Sequence, residues 1–227
     1  MALRNRDSGL KLPLRVWDAP TRLFHWAIVL LIVTSYVTVH KGWMQLHMLS
    51  GYTILTLVLF RVIWGFVGSE TSRFSRFLHS PLAALRQLAQ LRDRSPDTEV
   101  GHNAAGGWMV LVLLAVLGMQ LASGLSVTDE DDNIMGPLAK FVGPTWSGRL
   151  TSFHILNFNI LLGLIVLHVL AVAAYAMVKR HDLLRPMITG KKRLPAATRA
   201  PRMTSPLLAL VILVVMGVCV WLLATRV

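Results

Sequence analysis

The chain has 227 residues, of which 54% are hydrophobic and only 15% are charged, and its formal net charge is +12. A soluble domain carries about a quarter charged residues, whereas the charges here are absent from several stretches of about twenty residues, which excludes an ordinary soluble domain and indicates a membrane-spanning chain. The basic residues flank apolar stretches without interleaved aromatic residues, so the positive charge does not indicate nucleic-acid binding.

Five apolar segments are predicted to cross the bilayer. With a rise of about 1.5 Å per residue, each is long enough, with flanking residues at the interfaces, to cross a hydrocarbon core of about 30 Å. In chain order these predicted spans are 23–39, 46–66, 105–125, 153–178 and 207–224. The sequence therefore predicts an all-α fold, in which a transmembrane four-helix bundle is followed by a fifth, C-terminal transmembrane helix.

The distribution of Lys and Arg predicts the orientation in the membrane. Eighteen of these residues lie in the segments on one side, and four lie on the opposite side. Because basic residues accumulate on the cytoplasmic side, we expect a cytoplasmic N-terminus and, after five spans, a periplasmic C-terminus. The predicted organisation is a cytoplasmic tail (1–22), a four-helix core (23–178) with an inner loop (67–104) and an outer loop (127–150), a basic cytoplasmic linker (179–205) and the fifth helix (206–227).

Two loop segments carry local signals. In the inner loop, Ser80 followed by Pro81 is a typical helix start, and the leucines that follow predict an amphipathic helix on the membrane surface. The outer loop contains an acidic cluster at 129–132. Docking of a basic partner and simple solvation both remain open for this cluster.

Four histidines lie in or at the ends of the predicted spans, where an ionisable side chain is costly and therefore suggests function. His154 and His168 are 14 residues apart on the fourth span, so they project from nearly the same face, about 21 Å apart along the axis. His25 enters the first span at the inner depth of His168, and His47 begins the second span at the outer depth of His154. Hydrogen bonding to a neighbouring helix is the alternative for any single one of them.

Paired histidines at matched depths favour haem over zinc. Zinc takes three or four protein ligands, usually including Cys or carboxylate, whereas a haem needs one or two axial ligands within an apolar bundle. Cys219 is the single cysteine, so covalent attachment through a CxxCH motif is excluded. The sequence therefore predicts two non-covalent haem b groups with irons about 20 Å apart, an inner one between His25 and His168 and an outer one between His47 and His154.

Other residues in and near the spans are candidates for contact with a haem or for a position at the membrane interface. Gly51, one turn after His47, gives space for a flat macrocycle. Arg61 either contacts a propionate of the inner haem or extends to the interface. Tryptophans near span ends are explained by interfacial aromatic belts, namely Trp26, Trp43, Trp64 and Trp108.

The four remaining histidines are weaker candidates. His40, at the outer end of the first span, is the serious rival of His47 as a ligand. His102 either handles protons for a quinone or is an interfacial loop residue. His79 and His181 are predicted to face solvent.

Four features of the sequence combine into a specific pattern. They are Val16-Trp17-Asp18-Ala19-Pro20-Thr21-Arg22-Leu23-Phe24-His25-Trp26, Leu46-His47-Met48-Leu49-Ser50-Gly51-Tyr52, Arg61-Val62-Ile63-Trp64-Gly65 and the spacing of His154 and His168. With these features the chain resembles, over about residues 13–193, the superfamily of bacterial cytochrome b561 and the b-type cytochrome of nickel–iron hydrogenase. The resemblance implies a four-helix haem-binding core in the bacterial inner membrane that exchanges electrons between quinone and a redox partner, which in the hydrogenase branch is extracytoplasmic.

Two further motifs, Gly101-His102-Asn103 and 185–190, resemble the branch that accompanies soluble c-type cytochromes. The expected partner is therefore a c-type cytochrome or a dehydrogenase, and the chain is expected to be an electron-transfer subunit, not a stand-alone enzyme.

A self-contained superoxide:quinone oxidoreductase is the alternative within redox chemistry. A proton-coupled transporter with intramembrane histidines is the alternative of another class, although none of the eleven Asp and Glu lies in a predicted span. The fifth helix departs from the four-helix pattern, and the oligomeric state is left open.

Overall fold

The structure is a computed structural model, and it describes residues 10–90, 92–93, 96–129 and 134–226. The acidic cluster predicted at 129–132 lies almost entirely outside the described residues. In chain order the described elements are β1 (Lys11–Arg15), α1 (Ala19–His40), α2 (Met44–Val67), a 3₁₀ turn (Glu70–Ser72), α3 (Phe74–Phe77), α4 (Pro81–Ala89), α5 (Ala104–Gly124), β2 (Thr128–Asp129), β3 (Ile134–Met135), α6 (Ala139–Ala174) with a π-helical last turn (Tyr175–Lys179), α7 (Leu184–Thr189), β4 (Lys191–Pro195) and α8 (Pro206–Arg226).

Five of these helices, α1, α2, α5, α6 and α8, are long and apolar enough to cross a membrane. The predicted all-α fold with five membrane helices is confirmed, because the described strands are short and lie outside the long helices. For four of the five spans, the observed ends lie within a few residues of the predicted ones.

The helix that contains the predicted fourth span begins before residue 153. Helix α6 starts at Ala139, inside the predicted outer loop 127–150, and is interrupted by a kink at Gly143, whose φ is 72°. Pro144 follows directly and is suited to the first position of a helix, since it has no N–H to leave unpaired. The turns between Pro144 and residue 153 carry Trp, Ser, Arg and Thr, and a hydropathy criterion did not detect this polar part of the helix.

The chain divides into two compact units. Each unit combines segments from several of the membrane helices. The first unit consists of Met1–Leu23, Ile63–Val110 and Leu167–Leu208, and the second consists of Phe24–Val62, Leu111–Val166 and Ala209–Val227.

The second unit is built around an apolar cluster with contributions from α1, α2, α5 and α6. Its buried members are Ile54, Val58, Val116, Leu117, Leu121 and Leu161. Helix α8 packs on α2 in this unit, where a Cβ added at Gly217 would lie 3.8 Å from the Thr56 methyl group. The fifth helix therefore contacts the helix that carries His47.

In the first unit, the N-terminal tail and the predicted cytoplasmic linker pair with each other as two strands. Strands β1 and β4 are antiparallel, with Lys11 opposite Pro195 and Arg15 opposite Lys191. The backbone continues through Gly190, whose carbonyl accepts hydrogen bonds from the N–H groups of Val16 and Trp17 at 2.8 and 3.2 Å. The segment predicted as a basic linker thus contains α7 and β4, which the sequence analysis did not predict.

A buried carboxylate organises the start of α1 in the first unit. Asp18 is 3% exposed. One of its oxygens accepts from the N–H of Thr21 at 2.7 Å, and the other accepts from Nε1 of Trp64 at 3.0 Å and from the Ser72 hydroxyl at 3.3 Å. Asp18 is therefore the N-cap of α1. The interfacial position predicted for Trp64 is wrong, because this indole is fully buried against the carboxylate.

The predicted amphipathic helix after Ser80 is confirmed as α4. The Ser80 hydroxyl accepts from the N–H of Ala83, and Pro81 occupies the first helical position. The apolar side chains of Leu82, Leu85 and Leu88 are exposed. Their exposure is compatible with a helix that lies on the membrane surface, which stays a prediction.

Glu70 links the segment before α8 to the turn after α2 by hydrogen bonds. Its N–H donates to the Arg202 carbonyl at 2.9 Å, and its carboxylate accepts from the Arg202 N–H at 3.0 Å. Arg76 lies 3.1 Å from the other carboxylate oxygen. The hydrogen bond from Arg202 and the nearby positive charges of Arg76, Arg199 and Arg202 hold the pKa of Glu70 below its usual value.

We expect this attachment to be lost in acid. A lowered folded-state pKa means that the contribution is complete above the unfolded-state pKa of about 4.3 and disappears as the pH falls through the folded value. The protection of the Arg202 amide against hydrogen exchange, corrected for intrinsic rates, should therefore drop at low pH. In Glu70→Ala it should be low and independent of pH, whereas Glu99→Ala should behave like wild type. Full protection in Glu70→Ala would contradict this role.

Candidate functional site

Two of the four predicted ligands lie next to each other in the second unit. The imidazole rings of His47, in the first turn of α2, and His154, in α6, have centroids 6.4 Å apart and planes at 83°. Both side chains are half-buried. The two helix positions that were predicted to lie at one depth therefore carry neighbouring rings.

Each of these rings is oriented by a backbone carbonyl and a serine hydroxyl. Nδ1 of His47 lies 2.9 Å from the Ser35 carbonyl oxygen and 3.1 Å from the Ser35 hydroxyl. Nδ1 of His154 lies 2.9 Å from the Gln120 carbonyl oxygen and 3.2 Å from the Ser123 hydroxyl. The two candidate ligands are thus held by equivalent sets of partners on α1 and α5.

These hydrogen bonds decide the tautomer. A carbonyl oxygen only accepts, so Nδ1 must carry the proton in the neutral ring, and Nε2 keeps its lone pair. This is the arrangement of metal-binding histidines, which usually donate their second ring N–H to a carbonyl or carboxylate. Both rings are therefore prepared to bind a metal through Nε2.

Short-range structure places His47 opposite the end of α1. Helix α1 ends at His40, and the chain reverses through Gly42, whose φ of 71° suits glycine. The N–H of Trp43 donates to the Thr38 carbonyl at 2.9 Å and closes the turn. Because this connection is so short, α1 and α2 are antiparallel neighbours, and His47 faces the last turns of α1.

The spacing of the rings fits an iron atom between them. A metal–imidazole nitrogen bond is about 2 Å long, so a metal bound by both Nε2 atoms separates the ring centroids by roughly 6 Å. The observed separation is 6.4 Å. At Gly51, an added Cβ would meet no atom of the described residues within 4 Å, so there is open space one turn from His47. The residues present therefore fit a haem with two axial histidines.

Gly124 was not identified from the sequence, and it borders the His154 ring. A Cβ added at Gly124 would lie 2.9 Å from Cε1 and 3.3 Å from Nδ1 of His154. The ring cannot retreat without lengthening its 2.9 Å hydrogen bond to the Gln120 carbonyl. Glycine is therefore required here for the close approach of α5 to the imidazole.

We expect Gly124→Ala to weaken cofactor binding at His154. Loss of a residue that orients a ligand lowers metal affinity roughly ten- to hundredfold, so haem should transfer faster from the purified protein to excess apomyoglobin. Gly118→Ala is the matched control on α5, since a Cβ there would meet no described atom within 4 Å. Equal rates of haem transfer from Gly124→Ala and wild type would show that the ring tolerates the methyl group.

A pair of buried amides near His154 was also missed. Asn157 is 1% exposed and Gln120 is 8% exposed, and Nδ2 of Asn157 donates to Oε1 of Gln120 at 2.8 Å and to the Val116 carbonyl at 3.0 Å. Their signal in the sequence is the presence of two polar side chains within apolar spans, one of them three residues after His154. The partners Ser35 and Ser123 carried no signal, because serine is common in membrane helices.

The second predicted pair, His25 and His168, stays a prediction. Both imidazoles are half-buried, and His25 contacts the Trp26 indole edge-on, with ring centroids 5.0 Å apart. His25 belongs to the second unit and His168 to the first. Arg61 is 2% exposed, which disfavours extension of its side chain to the interface and keeps the predicted propionate contact as a proposal.

The remaining histidines have local partners. Nδ1 of His40 bonds to the Tyr36 carbonyl of its own helix at 2.8 Å, and the side chain is exposed. His102 packs against the rings of Trp17 and Phe77, with centroids 4.6 and 4.9 Å away.

The two predicted solvent-facing histidines differ. Nδ1 of His79 bonds to the Phe77 carbonyl at 2.9 Å, and this residue is exposed as predicted. The prediction for His181 is wrong. Its ring is half-buried and lies 3.7 Å from the Asp97 carboxylate, because the inner loop folds against it.

Comparison with known proteins identifies relatives over most of the chain. Residues 16–190 match the sequence model of the family described as prokaryotic cytochrome b561. A protein from Bradyrhizobium diazoefficiens named as a probable Ni/Fe-hydrogenase B-type cytochrome subunit is 25% identical over 211 residues, which cover 78% of this chain and 85% of the relative. A protein with the same name from Azotobacter chroococcum is 26% identical over 209 residues, covering 77% and 86%. No solved structure is significantly similar to the chain.

Proposed function

The chain belongs to the prokaryotic cytochrome b561 family and is a multi-pass membrane b-type cytochrome of electron transfer, and from this premise we propose that it carries two haem b groups and exchanges electrons between a redox protein and quinone. Haem b is the cofactor that this family membership implies. The number of haems, their ligands and the two reaction partners are the proposal.

The pair of His47 and His154 carries the proposal for the outer haem. Their ring separation of 6.4 Å supports coordination of one iron by both residues. When bound, haem b supplies reversible one-electron transfer at its iron. Binding of both imidazoles would leave the iron no free position for oxygen. The carbonyls of Ser35 and Gln120 keep each Nδ1 protonated and each ring fixed.

For the inner haem we propose His25 and His168 as ligands. The support comes from helix geometry, since His168 lies 14 residues after His154 in α6, about 21 Å further along the axis. His25 lies near the start of α1, at the opposite end from the turn that leads to His47. Arg61 is proposed to neutralise a propionate of this haem.

The reaction partners are proposed from the relatives and from the charges. The relatives are named as hydrogenase cytochrome subunits, which supports a redox protein such as a hydrogenase, another dehydrogenase or a c-type cytochrome on one side and membrane quinone as the other reactant. The excess of basic residues in the tail, inner loop and linker supports an inner-membrane location with the N-terminus in the cytoplasm and the C-terminus in the periplasm.

Haem content and ligand variants test this proposal. Pyridine haemochrome analysis of the purified chain should give two haem b per polypeptide, and His25→Ala and His168→Ala should each lose the same one of the two. A single haem in wild type, or loss of different haems in these two variants, would refute the di-haem assignment.

Reduction by a soluble quinol and oxidation by a soluble c-type cytochrome test the proposed reactants. Rapid haem reduction by superoxide without a partner protein would favour the self-contained enzyme.

A further inference from the structure

The buried amides of Asn157 and Gln120 form a hydrogen-bonded link between α5 and α6 in the second unit. Burying an amide away from water is costly unless its polar atoms find partners. Asn157 meets this requirement by donating to the Gln120 side chain at 2.8 Å and to the Val116 carbonyl at 3.0 Å. Two polar residues are thus retained within spans where apolar side chains would pack without this cost.

This link leads directly to the candidate ligand His154. Asn157 follows His154 by three residues on α6, so the two side chains leave neighbouring positions on one face. Gln120 is bonded to both residues, since its side-chain oxygen accepts from Asn157 and its backbone oxygen lies 2.9 Å from Nδ1 of His154. One residue of α5 therefore fixes the ligand and its neighbour at the same time.

The position of Gln120 in α5 gives this contact an electronic consequence. Helix α5 ends at Gly124, so the Gln120 carbonyl lies near the negative end of the helix dipole. A strong acceptor on Nδ1–H increases the electron density of the imidazole and favours the oxidised state of a metal bound at Nε2. Any displacement of Gln120 away from α6 weakens this acceptor.

We propose that Asn157 and Gln120 are positioning residues that hold the Gln120 carbonyl on Nδ1 of His154 and thereby keep the reduction potential of the outer haem low. The proposal rests on the assignment of His47 and His154 as ligands of that haem. A purely structural role for the two amides predicts altered stability with an unchanged potential, whereas positioning predicts a changed potential.

Redox titration of the purified protein tests this proposal. In Asn157→Leu, the equilibrium constant for reduction of the outer haem should rise about tenfold, which corresponds to about 59 mV for one electron, and the inner haem should not change. If the ring planes keep the observed angle of 83° when both bind the iron, the wild-type outer haem should give a highly anisotropic low-spin EPR signal, because the iron orbitals that interact with the two imidazoles would be nearly equal in energy. This anisotropy should decrease when the His154 ring is free to turn.

A double variant keeps the test decisive if Asn157→Leu binds no outer haem. In Gln120→Leu/Asn157→Leu both amides are replaced by apolar side chains, so no buried polar group is left unpaired and folding should recover. The raised potential should persist there, because the link between the helices is still absent. Leu156→Val, at an exposed position beside Asn157, is the matched control and should keep the wild-type potential.

The outcomes separate this inference from the proposed function. A wild-type potential and EPR signal in the double variant would overturn the positioning role and leave the haem assignment intact. An outer haem that persists in His154→Ala, or its absence from wild type, would instead refute the assignment on which the inference rests.

Discussion

Replacement of His154 by alanine is expected to lower the haem content from two to one per chain, and His47→Ala is expected to remove the same haem. In the proposed outer site both axial ligands come from these residues, and their facing rings are 6.4 Å apart. Removal of either ring would leave the iron with one of its two proposed histidine ligands. Pyridine haemochrome analysis gives the haem content, and redox titration shows which of the two components has disappeared.

His40→Ala provides the control for this expectation. His40 was the rival ligand on sequence grounds, but its side chain is exposed and its Nδ1 bonds to the Tyr36 carbonyl within α1. This variant should therefore retain both haems with unchanged potentials. Loss of the outer haem in His40→Ala and its retention in His47→Ala would overturn the assignment.

Replacement of Asp18 by alanine is expected to lower the free energy of unfolding by about 2–4 kcal/mol, the largest effect on stability that we foresee outside the haem ligands. The substitution removes the N-cap of α1 and the carboxylate that accepts from the buried Nε1 of Trp64. The Ser72 hydroxyl also loses one of its two partners and keeps only the Thr21 hydroxyl. Thermal or denaturant unfolding in detergent, followed by tryptophan fluorescence, measures the change.

Asp182→Ala is the matched control for the Asp18 variant. The Asp182 carboxylate likewise accepts from a backbone N–H three residues later, that of Arg185 at 3.0 Å, but this contact is exposed. Its loss should cost only about 0.5–1 kcal/mol. If both variants were destabilised equally, the burial of the Asp18 carboxylate and its contact with Trp64 would contribute nothing.

The membrane spans and the outer pair of histidines were predictable because they depend on composition and on helix periodicity. A span is a run of apolar residues of fixed minimum length, and the depth of a histidine follows from its position along that run. For this reason the prediction brought His47 and His154 to one level before any contact was known. The same approach missed the turns of α6 between Pro144 and residue 153, where the sequence is polar but helical.

The contacts around the site could not be predicted in this way. The carbonyls of Ser35 and Gln120 belong to the backbone, so no residue type in the sequence marks them as partners of the histidines. Gly124 is necessary only because α5 approaches the His154 ring closely. The burial of Trp64 depends on a carboxylate 46 residues earlier in the chain.

By itself, then, the sequence determined that this chain has five helices long and apolar enough to cross a membrane, and it predicted four histidines at two depths, since hydrophobicity and helical rise act locally along the chain. Only the tertiary structure decided that Nε2 is the ring nitrogen left without a proton in His47 and His154, how the ring planes are set, and that a buried amide pair lies next to His154. These features arise from the rotation and spacing of packed helices, which depend on contacts between residues far apart in the chain.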